Sequence, residues 1–220
     1  MDNRRLINIA TALLIGASCA VPVLADEYWD QRVSLFELLP VHEDDIVFLG
    51  NSITDGGEFN ELFGMDNILN RGIRSDLITG VEKRLGQVTA GKPAKIFLLI
   101  GINDVSHGHS VDELARRYER LVKKIREESP TTRLYLQSVM PVNNSFGRYK
   151  ALKGKEKRIV GLNERIKDIA GRHGAVYVDL WPGLADADGN LNRDFTNDGL
   201  HLNGRGYRVW THSIENLVKE

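Results

Sequence analysis

Three residues that lie far apart in the chain have the types needed for nucleophilic catalysis. Ser52 closely follows an apolar run, and Asp198 and His201 stand three positions apart near the C-terminal end. A serine hydroxyl is a weak nucleophile until a base takes its proton, and a histidine oriented by a carboxylate can be that base. We predict that Ser52 is the nucleophile, that His201 is the general base and that Asp198 orients the imidazole ring.

Each of these residues also has an ordinary structural interpretation. Ser52 has a type preferred at the N-terminal cap of a helix. The segment from Asp198 to His201 has the composition of a polar turn before a last helix capped by Asn203. The segment around Ser52 reads Gly-Asn-Ser-Ile-Thr, without the second glycine of the Gly-x-Ser-x-Gly nucleophile elbow. The sequence therefore disfavours an α/β-hydrolase of that kind.

Two further residues have types that suit stabilisation of an oxyanion. A glycine such as Gly72 lets a backbone N–H approach a reacting carbonyl closely, and the side-chain amide of Asn103 offers a second donor. The backbone N–H of Ser52 is a third candidate. Taken singly, Gly72 is better explained as a turn glycine and Asn103 as a loop residue. Their occurrence together with Ser52, each after a predicted strand, favours the catalytic interpretation.

The elements that must position these residues alternate along the chain. Short apolar runs predict five β-strands, of which the first is continuously apolar after its first residue, as expected for a strand buried on both faces. The predicted strands are Asp45–Leu49, Ile68–Asn70, Lys95–Ile100, Arg133–Val139 and Ala175–Leu180.

Amphipathic segments between the strands predict helices. Apolar residues recur at spacings of three and four over Val111–Glu128 and again between Ile159 and Ile169, and a last helix is predicted from about Gly204 to Val218. Strands separated by helices predict an α/β protein, here a three-layer α/β/α, flavodoxin-like fold with a five-stranded parallel sheet. In such a fold the segments that follow the strands meet at one edge of the sheet, so the candidate residues should converge there.

Four blocks of sequence together resemble a known family. They are Gly-Asn-Ser-Ile-Thr around Ser52, Asn-Arg-Gly ending at Gly72, Gly-Ile-Asn-Asp around Asn103, and Asp-Gly-Leu-His from Asp198 to His201. The chain is similar to the SGNH hydrolases, also called the GDSL lipase and esterase family, over nearly all of its length after residue 25. The resemblance implies the roles given above, a five-stranded parallel sheet between helices, and ester hydrolysis with no metal and no cofactor. The family's first block usually reads Gly-Asp-Ser, so Asn51 is a departure that affects the network around the first loop.

The N-terminal segment predicts export. Arg4 and Arg5 precede a short apolar stretch, and Val23-Leu24-Ala25 has the small-residue pattern of a cleavage site. We predict a signal peptide over residues 1–25, an SGNH-type esterase domain over 26–220 with no transmembrane segment, and a periplasmic or secreted location. The single cysteine, Cys19, lies in the predicted signal peptide and is a candidate for lipid attachment.

Composition limits the class of partner. The 220 residues are 42% hydrophobic and 27% charged, with a formal net charge of −1. This balance gives no global attraction to nucleic acid or to an anionic membrane. The expected partner is a small-molecule or glycan ester.

Two polar groups contain residues of the types that bind metals, but neither has the pattern of a metal site. The acidic loop 186–194 has Leu191 where an EF-hand requires glycine, so it is interpreted as a polar turn. His107 and His109 have no further ligand at a helpful spacing, which predicts a loop at the rim of the site.

Basic residues are concentrated near the predicted site. Arg71 and Arg74 flank Gly72 and are candidate substrate-binding residues. A second basic group after the fourth strand could form a flap that attracts an anionic substrate, although a solvated helix face is the simpler interpretation. That group is Arg148, Lys150, Lys153, Lys155, Lys157 and Arg158.

These observations predict a serine esterase that removes small acyl groups, most simply acetyl, from a carbohydrate such as sialic acid or another glycan. A lysophospholipase or thioesterase is the alternative enzyme, and it would need an apolar groove for the acyl chain. A non-catalytic glycan-binding module on a hydrolase scaffold is a third interpretation, which the intact set of candidate residues disfavours.

Overall fold

The computed structural model describes residues 22–220. The predicted signal peptide lies outside these residues except for its last four, which begin the first helix, and Cys19 lies outside them as well. Both remain predictions. In the described part of the chain no helix is long and apolar enough to cross a bilayer.

A five-stranded, fully parallel sheet forms the centre of the molecule, with strand order β2-β1-β3-β4-β5. This order and the helical layers confirm the predicted flavodoxin-like α/β fold. The strands are β1 (Ile46–Gly50), β2 (Ile68–Gly72), β3 (Lys95–Leu99), β4 (Arg133–Gln137) and β5 (Val176–Val178).

Helices and short 3-10 turns precede, connect and follow the strands. The helices are α1 (Pro22–Glu37), α2 (Ser52–Asp55), α3 (Phe59–Phe63), α4 (Ile78–Lys83), α5 (Gly86–Thr89), α6 (Ile102–Ser106), α7 (Val111–Glu128), α8 (Glu156–Arg172), α9 (Trp181–Leu184) and α10 (Gly204–Lys219). The 3-10 turns are Asn144–Phe146, Lys150–Leu152 and Arg193–Phe195.

The two faces of the sheet have different kinds of core. On one face Phe48, Phe97 and Tyr135 of adjacent strands stack with ring centroids 4.3–5.0 Å apart, and Trp210 of α10 meets Phe48 edge-on. Because side chains alternate along a strand, neighbours such as Leu49 point to the other face, where α7 packs between α4 and α8. These packed layers hold the carboxyl ends of the strands in place.

Candidate active site

The structure brings the three predicted catalytic residues into one hydrogen-bonded chain. Ser52 and His201 are 149 positions apart in sequence, yet Ser52 Oγ lies 2.9 Å from His201 Nε2. On the other side of the ring, His201 Nδ1 lies 2.8 Å from Asp198 Oδ2. This is the order of groups that transfer of the serine proton to an oriented imidazole requires.

The first loop exposes the Ser52 hydroxyl because another residue caps the helix. Asn51 is the N-terminal cap of α2, and its Oδ1 accepts a hydrogen bond from Ile53 N–H at 3.0 Å. Ser52 is therefore the first helical residue rather than the cap, and its hydroxyl is left to meet His201. The asparagine that replaces the family's usual acid keeps the acceptor oxygen needed for capping.

Glycine is required where β1 turns into this helix. A Cβ atom at Gly50 would lie 2.3 Å from the Leu99 carbonyl oxygen and 2.4 Å from Thr54 Oγ1. Neither gap leaves room for a carbon atom. The absence of a side chain at Gly50 allows the nucleophile loop to pack directly on β3.

The Asp-Gly-Leu-His segment folds around its own carboxylate. Asp198 Oδ1 accepts the backbone N–H groups of Leu200 at 2.9 Å and His201 at 2.8 Å. Burial disfavours the charge on Asp198, but hydrogen bonds from His201, these backbone groups and Tyr149 outweigh burial and hold the pKa of Asp198 well below its usual range. The carboxylate is therefore ionised and fixed in orientation at any working pH.

The structure does not support Gly72 as an oxyanion donor. Strand β2 continues to Gly72 instead of ending at Asn70, and the Gly72 N–H donates to Asn70 Oδ1 at 2.8 Å. A Cβ atom at Gly72 would lie 2.1 Å from the backbone nitrogen of Asp55, so the glycine permits close packing of α2 on β2. Its role is structural because its donor is already used.

The loop after β2 offers a different backbone donor, Ser75. Ser75 borders the same cavity as Ser52 and Asn103. Its N–H donates no hydrogen bond within residues 22–220. Its backbone has φ of +61°, a conformation uncommon outside glycine and a source of local strain. This conformation and the free donor indicate a functional position that the sequence analysis did not identify.

Asn103 lies where the sequence analysis placed it. Its Nδ2 donates one hydrogen bond to the Asp76 carbonyl oxygen at 2.9 Å, which fixes the amide beside the cavity. An amide nitrogen carries two hydrogens, so a second donor remains for a bound ligand.

A cavity of about 500 Å³ opens over these groups. Its lining combines the Ser52 and His201 side chains with three cationic side chains, Arg74, Arg148 and Lys150. The other lining residues are Ser75, Asn103, Ser106, Tyr149, Ala151, Leu152 and Leu200. The rim of the site therefore carries cationic side chains, and Ala151, Leu152 and Leu200 give the cavity an apolar wall.

Arg71 does not reach this cavity, so the prediction that it binds substrate is wrong. Arg71 belongs to β2 and is 4% exposed. Its guanidinium lies 4.8 Å from the centroid of the Phe36 ring and donates to the Leu39 carbonyl oxygen at 3.1 Å. Arg74 does line the cavity, and its Nε donates to Asp55 Oδ2 at 3.0 Å.

Only the first part of the predicted basic flap faces the site. Arg148 and Lys150 line the cavity, whereas Lys155 Nζ donates to the carbonyl oxygens of Val105 and Ser106, and Arg158 donates to that of Gly108. Lys155 and Arg158 therefore hold the segment after β3 in place. Cations that bind backbone carbonyls in this way are not free to bind substrate.

The acidic loop 186–194 and His109 have partners other than a metal in the described residues. No group of three histidine, cysteine or acidic side chains there comes together to hold an ion. His109 pairs with Glu113 at the start of α7, and His107 and His109 do not line the cavity as the rim prediction required. In the acidic loop Asp186 Oδ1 accepts the N–H groups of Asp188 and Asn190, which confirms a polar turn.

Comparison with known proteins agrees with this geometry. The family model described as GDSL-like lipase/acylhydrolase matches residues 48–209, a span that runs from β1 into α10. The chain belongs to this family. Membership supports hydrolase activity of the acylhydrolase or esterase kind.

Individual relatives of this GDSL-family chain differ in name and length. It is 30% identical over 181 residues to an N-acylneuraminate cytidylyltransferase of Escherichia coli O18:K1:H7 (strain RS218 / NMEC), a match that covers 80% of this chain but 40% of the relative. The chain thus spans less than half of that relative's length.

Solved structures share the fold. A Streptococcus pneumonia protein whose structure is named for platelet activating factor superposes with a TM-score of 0.82, at 28% identity over 90% of this chain and 98% of the other. An acetylxylan esterase of Geobacillus stearothermophilus superposes with a TM-score of 0.64, at 16% identity over 82% of this chain and 97% of the other. At that identity the second likeness shows the fold alone.

Tyr149, which no sequence motif indicates, meets the hydrogen-bonded chain of Ser52, His201 and Asp198 in this GDSL-family site. Its hydroxyl donates to Asp198 Oδ2 at 2.8 Å and lies 3.0 Å from His201 Nδ1. Tyr149 stands in the irregular segment between β4 and α8, within the basic group. No periodic pattern indicates a residue in such a segment. The one signal in the sequence is that Tyr149 is an aromatic residue between two cationic ones, Arg148 and Lys150.

Asp104, beside Asn103, is a buried acid with an incomplete set of hydrogen bonds. Its Oδ2 accepts Ile78 N–H at 3.1 Å, but its Oδ1 has no hydrogen-bond partner in the described residues, and Arg117 Nη1 lies 4.0 Å from it. Burial raises the pKa of Asp104 to about 6 from the usual 3.8, against the opposing influence of the Ile78 hydrogen bond and Arg117. Its charged form is therefore unfavourable in the folded protein.

We expect Asp104→Asn to flatten the pH dependence of stability. Between about pH 4 and pH 6 the folded protein holds a proton on Asp104 that the unfolded chain has released, so stability falls as pH rises through this window. The variant should lose this slope and be more stable than wild type at pH 7 by roughly 1–3 kcal/mol. Thermal unfolding from pH 4 to pH 7.5 measures the difference, with exposed Asp112→Asn as the control. Parallel curves for wild type and Asp104→Asn would contradict the assignment.

Proposed function

We propose that this protein is a serine esterase that removes acetyl groups from negatively charged carbohydrate esters, such as O-acetylated sialic acid. The observation that carries the proposal is the hydrogen-bonded chain from Ser52 through His201 to Asp198 beneath a cavity rimmed by cations. We also propose export of the chain, on the basis of residues 1–25.

The proposed reaction has two steps. His201 Nε2 takes the proton of Ser52 as Oγ attacks the ester carbonyl, and Asp198 stabilises the imidazolium that forms. Collapse of the tetrahedral intermediate expels the sugar alcohol, which receives the proton from His201, and leaves an acetyl group on Ser52. Water activated by His201 then attacks the acyl-enzyme, releases acetate and restores the Ser52 hydroxyl.

The oxyanion is stabilised in this mechanism by a revised set of donors. Ser52, Ser75 and Asn103 line the cavity, and the backbone N–H groups of the two serines with the free amide hydrogen of Asn103 replace the predicted contribution of Gly72. Removing one donor of this kind typically lowers kcat by a factor of about 10²–10³. The strained backbone of Ser75 is consistent with a position retained for its N–H rather than for its side chain.

The charge of the rim supports an anionic substrate. Arg148 and Lys150 border the cavity, as does Arg74, which is paired with Asp55, and no carboxylate side chain of residues 22–220 lines it. A carboxylate on the sugar would bind these cations through charge-assisted hydrogen bonds. One relative is named as an N-acylneuraminate cytidylyltransferase, and N-acylneuraminate is an acidic sugar. An acetylxylan esterase shares the fold.

A lysophospholipase or thioesterase is the second candidate. Ala151, Leu152 and Leu200 give the cavity an apolar wall, and one structural relative is named for platelet activating factor. Initial rates on p-nitrophenyl esters of increasing acyl length separate the two enzymes. A preference for acetate supports the proposal, and a preference for chains of about eight carbons or more would contradict it.

Removing the two flap cations should weaken binding of an anionic ester selectively. We expect the Arg148→Ala/Lys150→Ala variant to raise KM for O-acetylated sialic acid by about 5–30-fold, because two exposed ion pairs contribute about 0.5–1 kcal/mol each. The KM for neutral p-nitrophenyl acetate should be nearly unchanged. Acetate release measured at low and high salt checks this, since salt screens exposed charges.

The matched control for this experiment is Lys153→Ala. Lys153 is an exposed lysine of the same segment that does not line the cavity. It should leave both KM values unchanged. Equal loss on anionic and neutral esters in the double variant would show that these cations do not recognise substrate charge.

A further inference from the structure

Tyr149 and His201 share one oxygen atom of Asp198. Oδ2 accepts the Tyr149 hydroxyl and His201 Nδ1–H, each at 2.8 Å, and the Tyr149 oxygen lies 3.0 Å from Nδ1. The three atoms therefore form a closed triangle. The Tyr149 ring also meets the His201 ring edge-on, with centroids 5.7 Å apart at 69°.

The two oxygens of Asp198 are held by different parts of the chain. Oδ1 accepts two backbone N–H groups of the segment that contains Asp198 itself. Oδ2, which faces the imidazole, has Tyr149 as the one hydrogen-bond donor other than His201 found in the described residues. Without the Tyr149 hydroxyl, the imidazole would be the remaining direct donor to Oδ2 in the described residues, and the carboxylate would be held otherwise through Oδ1 alone.

The Tyr149 hydroxyl remains a donor under working conditions. Burial and the hydrogen bond to Asp198 raise the pKa of Tyr149 to about 12, although Arg148 opposes the shift. The phenol is therefore protonated at neutral pH. An ionised phenolate could not donate to the carboxylate.

We infer that Tyr149 is a positioning residue for the reaction: its hydroxyl holds Asp198 Oδ2 against His201, and its ring packs edge-on with the imidazole. The inference rests on the proposed function of the Ser52 site. It assigns to the segment between β4 and α8 a part in catalysis as well as in forming the rim of the cavity.

Separate variants of Tyr149 distinguish the hydroxyl from the ring. Tyr149→Phe keeps the ring and should lower kcat by about tenfold with KM for p-nitrophenyl acetate unchanged, because a hydrogen bond to a charged group is lost. Tyr149→Ala removes the cavity wall as well and should also raise KM. The rate at which a fluorophosphonate inactivates the enzyme should fall in Tyr149→Phe by the same factor as kcat.

Tyr135→Phe is the matched control. The Tyr135 hydroxyl donates to the Glu220 carboxylate at 2.9 Å and does not line the cavity, so its loss should leave kcat unchanged. A folded Tyr149→Phe enzyme with wild-type kcat and inactivation rate would overturn the inference. The proposed function fails by a different result, which is wild-type activity in Ser52→Ala.

Discussion

Replacing Ser52 with alanine is expected to lower kcat for acetyl esters by about 10⁶-fold, the order of magnitude of the loss when a serine nucleophile that acts as one unit with its base is removed. His201 and Asp198 would then have no hydroxyl to activate. Cavity binding and the oxyanion donors would leave a small residual rate. The measurement is acetate release from p-nitrophenyl acetate and from an O-acetylated glycan.

This loss should occur without loss of the fold. Ser52 is partly exposed, and its Oγ hydrogen-bonds only His201 in the part of the chain that the structure describes. The thermal midpoint should therefore stay close to that of wild type. Ser213→Ala, on an exposed part of α10, is the control for loss of a serine hydroxyl and should keep full activity. Activity of Ser52→Ala near the wild-type level would exclude the proposed mechanism.

The second large effect is expected at a buried ion pair that joins the loops of the site. Arg84 Nε lies 2.8 Å from Asp76 Oδ2, and both side chains are 1% exposed. Arg84 also donates to the Gly50 carbonyl oxygen, just before the nucleophile, at 3.1 Å, and the Asp76 carbonyl oxygen accepts the Asn103 amide. One pair thus connects the segments that carry Ser52, Ser75 and Asn103.

Arg84→Met should destabilise the protein by about 3–5 kcal/mol, because it leaves the Asp76 charge buried with no cation beside it. Burial raises the pKa of Asp76 even with Arg84 present, which shows how unfavourable this site is for an unpaired charge. The thermal midpoint of the variant should fall by about 6–20 °C for a chain of this size. Calorimetry or circular dichroism at neutral pH measures the shift.

Two comparisons make this prediction specific. Arg120→Met breaks a bidentate but half-exposed pair with Glu82 and should cost less than about 1 kcal/mol. The double variant Arg84→Met/Asp76→Leu removes both buried charges and should recover part of the lost stability. Equal losses at the buried and exposed pairs would contradict the role given to burial.

The periodic parts of the fold were predictable from the sequence. Apolar runs of strand length and the helical spacing in Val111–Glu128 identified the β-strands and the helix α7, because burial of a regular element leaves a regular pattern. The convergence of Ser52 with Asp198 and His201 followed from a general property of parallel sheets. This convergence could be predicted without any knowledge of side-chain contacts.

The predictions fail near the ends of strands and in the irregular segments after them, where no repeating sequence pattern indicates the path of the backbone. The polar Asn70 predicts an end of β2 at that residue, but the strand continues to Gly72, so the free backbone donor lies further along the chain, at Ser75. The same shift places Arg71 within the strand and against Phe36 of α1. No sequence pattern indicates Tyr149, because it lies in the irregular segment between β4 and α8, outside the four blocks that carry the family resemblance.

Covalent trapping tests most directly whether the Ser52 hydroxyl is the nucleophile that attacks the ester. The cavity contains three serines, Ser52, Ser75 and Ser106, of which Ser52 alone contacts His201. After inactivation with a fluorophosphonate, peptide mass spectrometry should find one equivalent of adduct on Ser52 and almost none in the His201→Ala variant. An adduct on Ser75 or Ser106 in the fully inactivated enzyme, with Ser52 unmodified, would contradict the account.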